Sequence, residues 1–282
     1  MATFTNQAIL SYNGNTVNSN IVTGNIIEVL SVTKTAVGDN YSANDNVTYI
    51  VSITNTGTTP LTGVTVTDNL GAYTFGETTL VPLDYVEGSV VYYQNGVLQA
   101  SPAATSTSPL TFSGITVPAG GNAILVYETR TNEFAPLNPE STIVNEVTVA
   151  APGITPVTAE ETVTVTDEPV LSITKSLSPE NVTDNSELTY TFTIQNTGNT
   201  PAIATDNVII TDTFNPILSD ITVTVDGAVI TPPDYTYDEA TGVFTINPGV
   251  ITVPAATYTQ DPTTGNFVIN PGVAVVTVTG TV

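Results

Sequence analysis

The phrase VLSVTKT at residues 29–35 returns as VLSITKS at 170–176, and the text around it returns as well. VTYIVSITNTGTTP (47–60) recurs as LTYTFTIQNTGNTP (188–201), VTVTDNL (64–70) as VIITDTF (208–214), and ITVPA (115–119) as ITVPA (251–255). The hairpin signal QNG (94–96) has its counterpart in VDG (225–227). A chain written twice folds as two copies of one module, so whatever fold the first copy takes constrains the second. Within each copy, short alternating runs rich in Val, Ile, Thr and Tyr are separated by Gly, Pro, Asn and Asp. That pattern predicts strands and tight turns, in outline an immunoglobulin-like sandwich. No stretch sustains the i, i+3, i+4, i+7 spacing of a helix. The expected fold is all-β: two tandem sandwich domains, 28–166 and 167–282, joined at Thr166-Asp167-Glu168-Pro169 and preceded by an N-terminal strand or hairpin at 1–27. The second copy also carries ATYTQDPTTGNFVINPG (256–272), read as an added hairpin because FVINPGV echoes FTINPGV just before it.

The two copies end differently. Copy one runs through AILVYETR (123–130) and adds TIVNEVTVAAPGITPVTAEETVTV (142–165), whereas copy two reaches AVVTVTGTV (274–282) without that closing strand or hairpin. The matching phrase stands at the front of the chain. TFTNQAILSYNG (3–14) aligns with TIVNEVTVAAPG (142–153), Asn6 falling on Asn145 and Gly14 on Gly153, while the NTVNSNIVTG that follows matches only loosely. A sandwich short of a strand exposes an apolar groove and unpaired backbone edges. A free segment of the right pattern fills such a groove by strand addition. The expectation is that the second domain is completed by a neighbour's N-terminus, with Phe4, Asn6, Ala8 and Leu10 as the inserted face. Head-to-tail contacts that do not close into a ring build a filament. The alternative is a piece of a longer repeat array whose leading strand belongs to a preceding repeat.

Composition narrows the function further. Over 282 residues, 3 Lys plus Arg stand against 26 Asp plus Glu, a net charge of −23. Nucleic-acid phosphates and anionic lipid surfaces repel such a chain, so neither is expected as a partner. With no Cys and no His there are no thiolate nucleophiles, disulfides, Ser-His-Asp triads or ordinary zinc sites. No metal or cofactor is expected. No apolar run approaches the length of a membrane span. Residues 1–20 show neither the basic nor the apolar region of a signal peptide.

The two lysines, Lys34 and Lys175, occupy the same position in the two copies. Side chains alternate across a strand, so Lys34 shares a face with Leu30 and Val32, and Lys175 with Leu171 and Ile173. Both are expected on the inward face, where an ammonium is costly and tends to lose its proton. The same parity puts Asp68 with Val64 and Val66, Asp212 with Val208 and Ile210, Asn145 with Ile143 and Val147, and Asn6 with Phe4 and Ala8. A neutral Lys amine, an Asn amide and an acid that shuttles protons are the parts of an autocatalytic isopeptide bond. The amine attacks the amide carbonyl and ammonia leaves. Such a bond forms once, so this is self-modification and not enzyme turnover. The expected trios are Lys34, Asp68 and Asn145 within domain one, and Lys175, Asp212 and Asn6 between molecules. Glu128 is a rival acid in the first domain, but its counterpart in the second is Thr279. Lysines snorkelling to water or held in a buried ion pair are the structural alternatives.

At these residues the chain resembles the conserved-repeat domain of bacterial cell-surface proteins: K-T/S, then VTYxVxIxNxGxxP, VTVTD and xxNxxTV. The resemblance implies a sandwich on a bacterial exterior. The trio also resembles the Lys–Asn bonds of Gram-positive pilins and adhesins, and the N-terminal segment resembles pilus donor strands. It departs from the pattern in that no cell-wall sorting motif follows Val282, which leaves sortase attachment in doubt and admits an appendage on a spore surface. The expected role is therefore a structural subunit of an extracellular fibre on a bacterial cell or spore, a homopolymer with an unidentified ligand at its tip if it has one. A monomeric stalk or adhesin fragment that binds a host or glycan ligand is the alternative. The acidic loops GDNYSANDN (38–46) and PENVTDNSE (179–187) offer oxygen ligands to calcium but lack EF-hand spacing, and turn chemistry explains them. DYTYDEATG (234–242) has the carboxylates of a glycosidase without any Trp to bind sugar, and it falls on a hairpin turn.

Overall fold

The computed structural model describes residues 2–26 and 28–282. Among them the regular elements are strands, apart from one 3-10 turn at Ala204–Asp206. The chain divides into two compact units. The first holds Met1–Asp39, Asn44–Thr131 and Val144–Val163, and the second Asn40–Ala43, Asn132–Ile143 and Thr164–Val282.

The first unit is a sandwich of two sheets. In one, the strand Asn46–Asn55 lies between Leu30–Val37 and Gly121–Thr131, and the sheet continues to Val91–Gln94 and Val97–Gln99. In the other, Leu61–Asp68 lies between Leu110–Val117 and Thr142–Ala151. The strand Asn46–Asn55 alternates buried and half-buried residues along its length, as a strand with one core face must. Its Tyr49, Val51 and Ile53 are buried, as are Val64, Val66, Phe112, Leu125, Tyr127, Val147 and Val149 on the strands around it. Full burial of a side chain of this size stabilises by about 1.5–3 kcal/mol, so the core outweighs any single polar contact. The Asn95-Gly96 turn has φ of 48° and 78°, the two left-handed positions a two-residue hairpin requires.

The second unit repeats the first sheet, with Glu187–Asn196 between Leu171–Ser178 and Gly272–Thr281, followed by Ser219–Val225 and Ala228–Ile230. Its own core runs through Tyr190, Phe192, Phe214, Phe244, Ile246, Val276 and Val278. The second sheet is shorter. Ile210–Thr213 pairs with Val243–Ile246, which pairs with Tyr235–Asp238, and the sheet ends there. Among the described residues nothing pairs with the other edge of Ile210–Thr213, the edge that Thr142–Ala151 covers on Leu61–Asp68 in the first unit. The insertion forms the hairpin Thr257–Gln260 with Phe267–Asn270.

The N-terminal segment is a long two-stranded hairpin. Ala2–Asn6 pairs with Val22–Ile26, and Ile9–Tyr12 with Asn15–Asn18, around an Asn13-Gly14 turn with φ of 46° and 79°. Phe4 packs across the strand pair onto Gly24, where a Cβ would collide with its ring. Phe4, Ile9, Leu10, Tyr12, Val17, Ile21 and Val22 are all more than half exposed, Leu10 at 64%. A lone two-stranded hairpin is marginal in water, and one showing this much apolar surface has an unused face.

Candidate isopeptide site

In the first unit the parity of three strands brings three polar side chains into the core. The Leu30–Val37 strand buries Leu30 and Lys34, Leu61–Asp68 buries Val64, Val66 and Asp68, and Thr142–Ala151 buries Asn145, Val147 and Val149. The Lys34 side chain has no exposed surface, and its Nζ donates to Asp68 Oδ2 at 2.6 Å. Burial pushes the Lys34 pKa down to about 8, against the pull of Asp68 and the weaker pull of Glu161 and Glu146. Asp68 is held on both oxygens. Oδ1 accepts the Leu70 N–H at 2.7 Å, and Oδ2 also accepts the Tyr127 hydroxyl. Asn145 stands two residues before Val147, which is paired with Asp68, and the register is fixed next door. Glu146 N–H donates to Asn69 Oδ1, and Asn69 N–H to Glu146 O, each at 3.0 Å. The Asn145 amide is fully buried with neither its nitrogen nor its oxygen hydrogen-bonded. An unsatisfied interior amide is rare and asks for an explanation. Lysine, carboxylate and amide are thus all buried in the interior of the first unit.

Two residues of this site carry no signal that the reading of the sequence used. Tyr127 bonds Asp68, and the Tyr49 ring lies under Lys34 Nζ at 4.6 Å from its centroid. Their rings are neighbours, 6.1 Å apart on paired positions. Both sit at inward parity in VTYIV and AILVYETR, a signal that places them in the core but says nothing of their hydroxyls. Glu128, next to Tyr127, falls on the opposite face of its strand and is only half-buried.

The second unit departs from expectation at its lysine. Lys175 does lie on the face toward the aromatic core, with Nζ 4.3 Å from the Tyr190 ring centroid and against Asp212 Oδ2. It is not buried: its side chain is 39% exposed. The cause is the uncovered edge. The whole Leu171–Ser178 strand is exposed, including Leu171, Ile173 and Leu177, and among the described residues no strand takes the place beside Ile210–Thr213 that Thr142–Ala151 takes beside Leu61–Asp68. Asn6 lies on the exposed N-terminal hairpin, paired with Val22. Among the described residues no cluster of three or more acidic groups suits a metal, and no helix is long and apolar enough to cross a membrane.

No family model and no curated protein matches the sequence. Solved structures with a related backbone include the major pilin subunit BcpA of Bacillus cereus, at 13% identity over 96% of this chain and 73% of that one, TM-score 0.34. They also include the pilus backbone RrgB of Streptococcus pneumoniae, at 12% identity over 86% and 55%, TM-score 0.34. A third is the collagen-binding subdomain of an Enterococcus faecalis surface protein, at 10% identity over 50% and 99%, TM-score 0.30. Likeness at this level does not transfer a role.

Proposed function

We propose that the protein is the subunit of an extracellular fibre, polymerising when the N-terminal hairpin of one copy completes the second unit of the next. The observation that carries this is the free edge of Ile210–Thr213 beside an exposed apolar strand, at the position a closing strand fills in the first unit. A copy of that strand's pattern, TFTNQAILSY, stands solvent-exposed in the same chain. An open sheet edge next to bare Leu and Ile side chains is unfavourable in water and is relieved by strand addition. In the register of the first unit, Ala8 would face Asp212 and Leu10 would face Ile210. A one-residue slip would turn Phe4, Asn6, Ala8 and Leu10 outward, so the register is strongly specified.

The buried Lys34, Asp68 and Asn145 support an isopeptide bond within the first unit. Docking would bring Asn6 to Lys175 and Asp212 for the same bond between molecules. In each, Lys ammonium gives a proton to Asp, and the amine adds to the Asn side-chain carbonyl carbon. Asp then protonates the departing amide nitrogen. The carbon–nitrogen bond breaks, ammonia leaves, and Asp keeps the proton remaining from the lysine nitrogen. The resemblance of the repeats to surface-protein domains supports an exterior location on a bacterial cell or spore. The test is to boil native protein in SDS and denaturant and run it on a gel. A ladder of multimers that collapses in Asn6→Ala and in Lys175→Arg supports the covalent fibre. Monomer alone sinks the bond between molecules, and the absence of threads by negative stain sinks the fibre as well.

A further inference from the structure

The proton-shuttling acid is the obvious candidate to activate the Asn145 carbonyl, but Asp68 is already fully engaged. One oxygen takes the Leu70 N–H, and the other takes both Lys34 and the Tyr127 hydroxyl. The oxyanion that forms as the amine adds needs a donor of its own, pre-aimed in a dry site. The Tyr49 hydroxyl is buried and makes no hydrogen bond of good geometry, and neither does either polar atom of Asn145, although the Asn145 amide lies close enough to act on that hydroxyl. The Tyr49 ring also carries Lys34 Nζ on its face, so one side chain lies beside the nucleophile and ends in a free donor. We propose that Tyr49 is a catalytic residue of the bond-forming reaction, donating its hydroxyl to the Asn145 side-chain oxygen as the tetrahedral centre forms, and that Tyr190 does the same for Asn6 in the second unit. This rests on the isopeptide reading above. No proton leaves Tyr49: the carbonyl electron pair moves onto oxygen, is held there by the O–H, and returns as ammonia departs.

The two copies separate Tyr49 from its neighbour Tyr127. Tyr127 is paired with Tyr49 across the sheet, and in the second unit the residue paired with Tyr190 is Val278. A reaction shared by both units therefore cannot depend on Tyr127. Tyr190 is retained, with Lys175 over its ring. Its hydroxyl makes only a long bond of 3.4 Å to Asn215 O, which it would give up when an Asn arrives. Burial raises the Tyr49 pKa well above the ordinary value, and the nearby Asn145 amide opposes this only in part. Tyr49 therefore remains a neutral donor at the mildly alkaline pH where the Lys34 amine becomes free.

Tyr49→Phe keeps the ring under Lys34 and removes only the hydroxyl. Full-length chain is made in a cell-free system, acid-quenched at intervals and digested, and the peptide joining Lys34 to Asn145, lighter by one ammonia, is followed by mass spectrometry. Loss of one oxyanion donor slows such steps about 100-fold or more, and that is the delay expected for Tyr49→Phe, against less than about tenfold for Tyr127→Phe. A Tyr49→Phe chain that closes its bond at the wild-type rate overturns the assignment. Wild-type chain that keeps its full mass overturns the isopeptide reading and the assignment together. If Tyr49→Phe does not fold, full-length Tyr190→Phe decides the matter. Threads that form but dissolve on boiling support the hydroxyl's role, and threads that survive boiling as wild type does refute it.

Discussion

Replacing Asn145 by Ala isolates the cross-link from the ion pair, because Lys34 and Asp68 keep each other. A bond from residue 34 to residue 145 closes a loop of about 110 residues, and in the chain-entropy account used for disulfides such a loop contributes about 5 kcal/mol. For a domain of this size about 1 kcal/mol moves the midpoint by roughly 2–4 °C, so the first unit should melt about 10–20 °C lower. The substitution also removes the buried Asn145 side-chain oxygen, the amide nitrogen having already left as ammonia in the cross-linked chain, which offsets a small part of the loss. Lys34→Met loses the same cross-link and also deprives Asp68 of the ammonium that Asn145→Ala retains, so it should be less stable than Asn145→Ala by about 3 kcal/mol. The two changes act on one bond, so the double variant should be no less stable than Lys34→Met. Differential scanning calorimetry reads this out, with the second unit's transition as an internal reference. If Asn145→Ala melts within about 3 °C of wild type, or if the two substitutions simply add, the argument from a Lys34–Asn145 cross-link is wrong.

In Asn145→Ala, where the amine stays free, stability should depend on pH with a definite sign. Folded Lys34 releases its proton near pH 8, whereas the unfolded residue holds it to about 10.5, so the unfolded chain binds more protons between those values. Stability therefore rises across that window, by about 3 kcal/mol in total, and urea titrations from pH 7 to 10 check it. Below about pH 8 this contribution is flat, and above pH 10 the buried Tyr49 and Tyr127 hydroxyls, which resist ionisation in the fold, reverse the trend. Leu10→Asp puts a charge on the inserted face and should abolish threads in negative stain while leaving the melting of the first unit unchanged. An amine-acylating reagent should label Lys175 in free subunits but not Lys34, and in threads it should label neither; equal labelling of Lys175 in both states would speak against docking over it.

The repeat made most of the fold legible, because two imperfect copies of one alternating pattern leave few architectures open. Parity alone put Lys34, Asp68 and Asn145 on inward faces, and in the first unit they are indeed buried. The same reasoning misjudged the burial of Lys175. Parity says which way a side chain points, but burial depends on what lies opposite, and the covering strand is not in that unit. Tyr49 and Tyr127 escaped notice for a different reason. An aromatic at inward parity reads as core, which both are, and only three-dimensional pairing reveals that one hydroxyl reaches Asp68 while the other is left without a partner. The N-terminal segment was legible as a strand or hairpin, and the structure forms it as a hairpin. Its Asn13-Gly14 turn was a further sign that it is paired as a hairpin, matching the two-residue turn between Ala151 and Ile154.

The same trio in a dry and a wet setting has a consequence for timing. On the isopeptide reading the Asn of the first unit comes from the same chain, so folding alone excludes water from Lys34 and the bond would close without a partner. In the second, Lys175 is solvated and held by Asp212. Held against that carboxylate, its nitrogen is a poor nucleophile toward any amide that diffuses past. A docking strand on this reading supplies two things at once: the Asn6 carbonyl, and the apolar side chains of Phe4 and Ala8 that expel water from the lysine and favour the neutral amine. Neither alone suffices. A strand seated one residue out of register would supply neither, because the slip turns Asn6 and its apolar neighbours to solvent together. The covalent step would then select for correct assembly, sealing only those contacts in which the strand has seated with its apolar face inward.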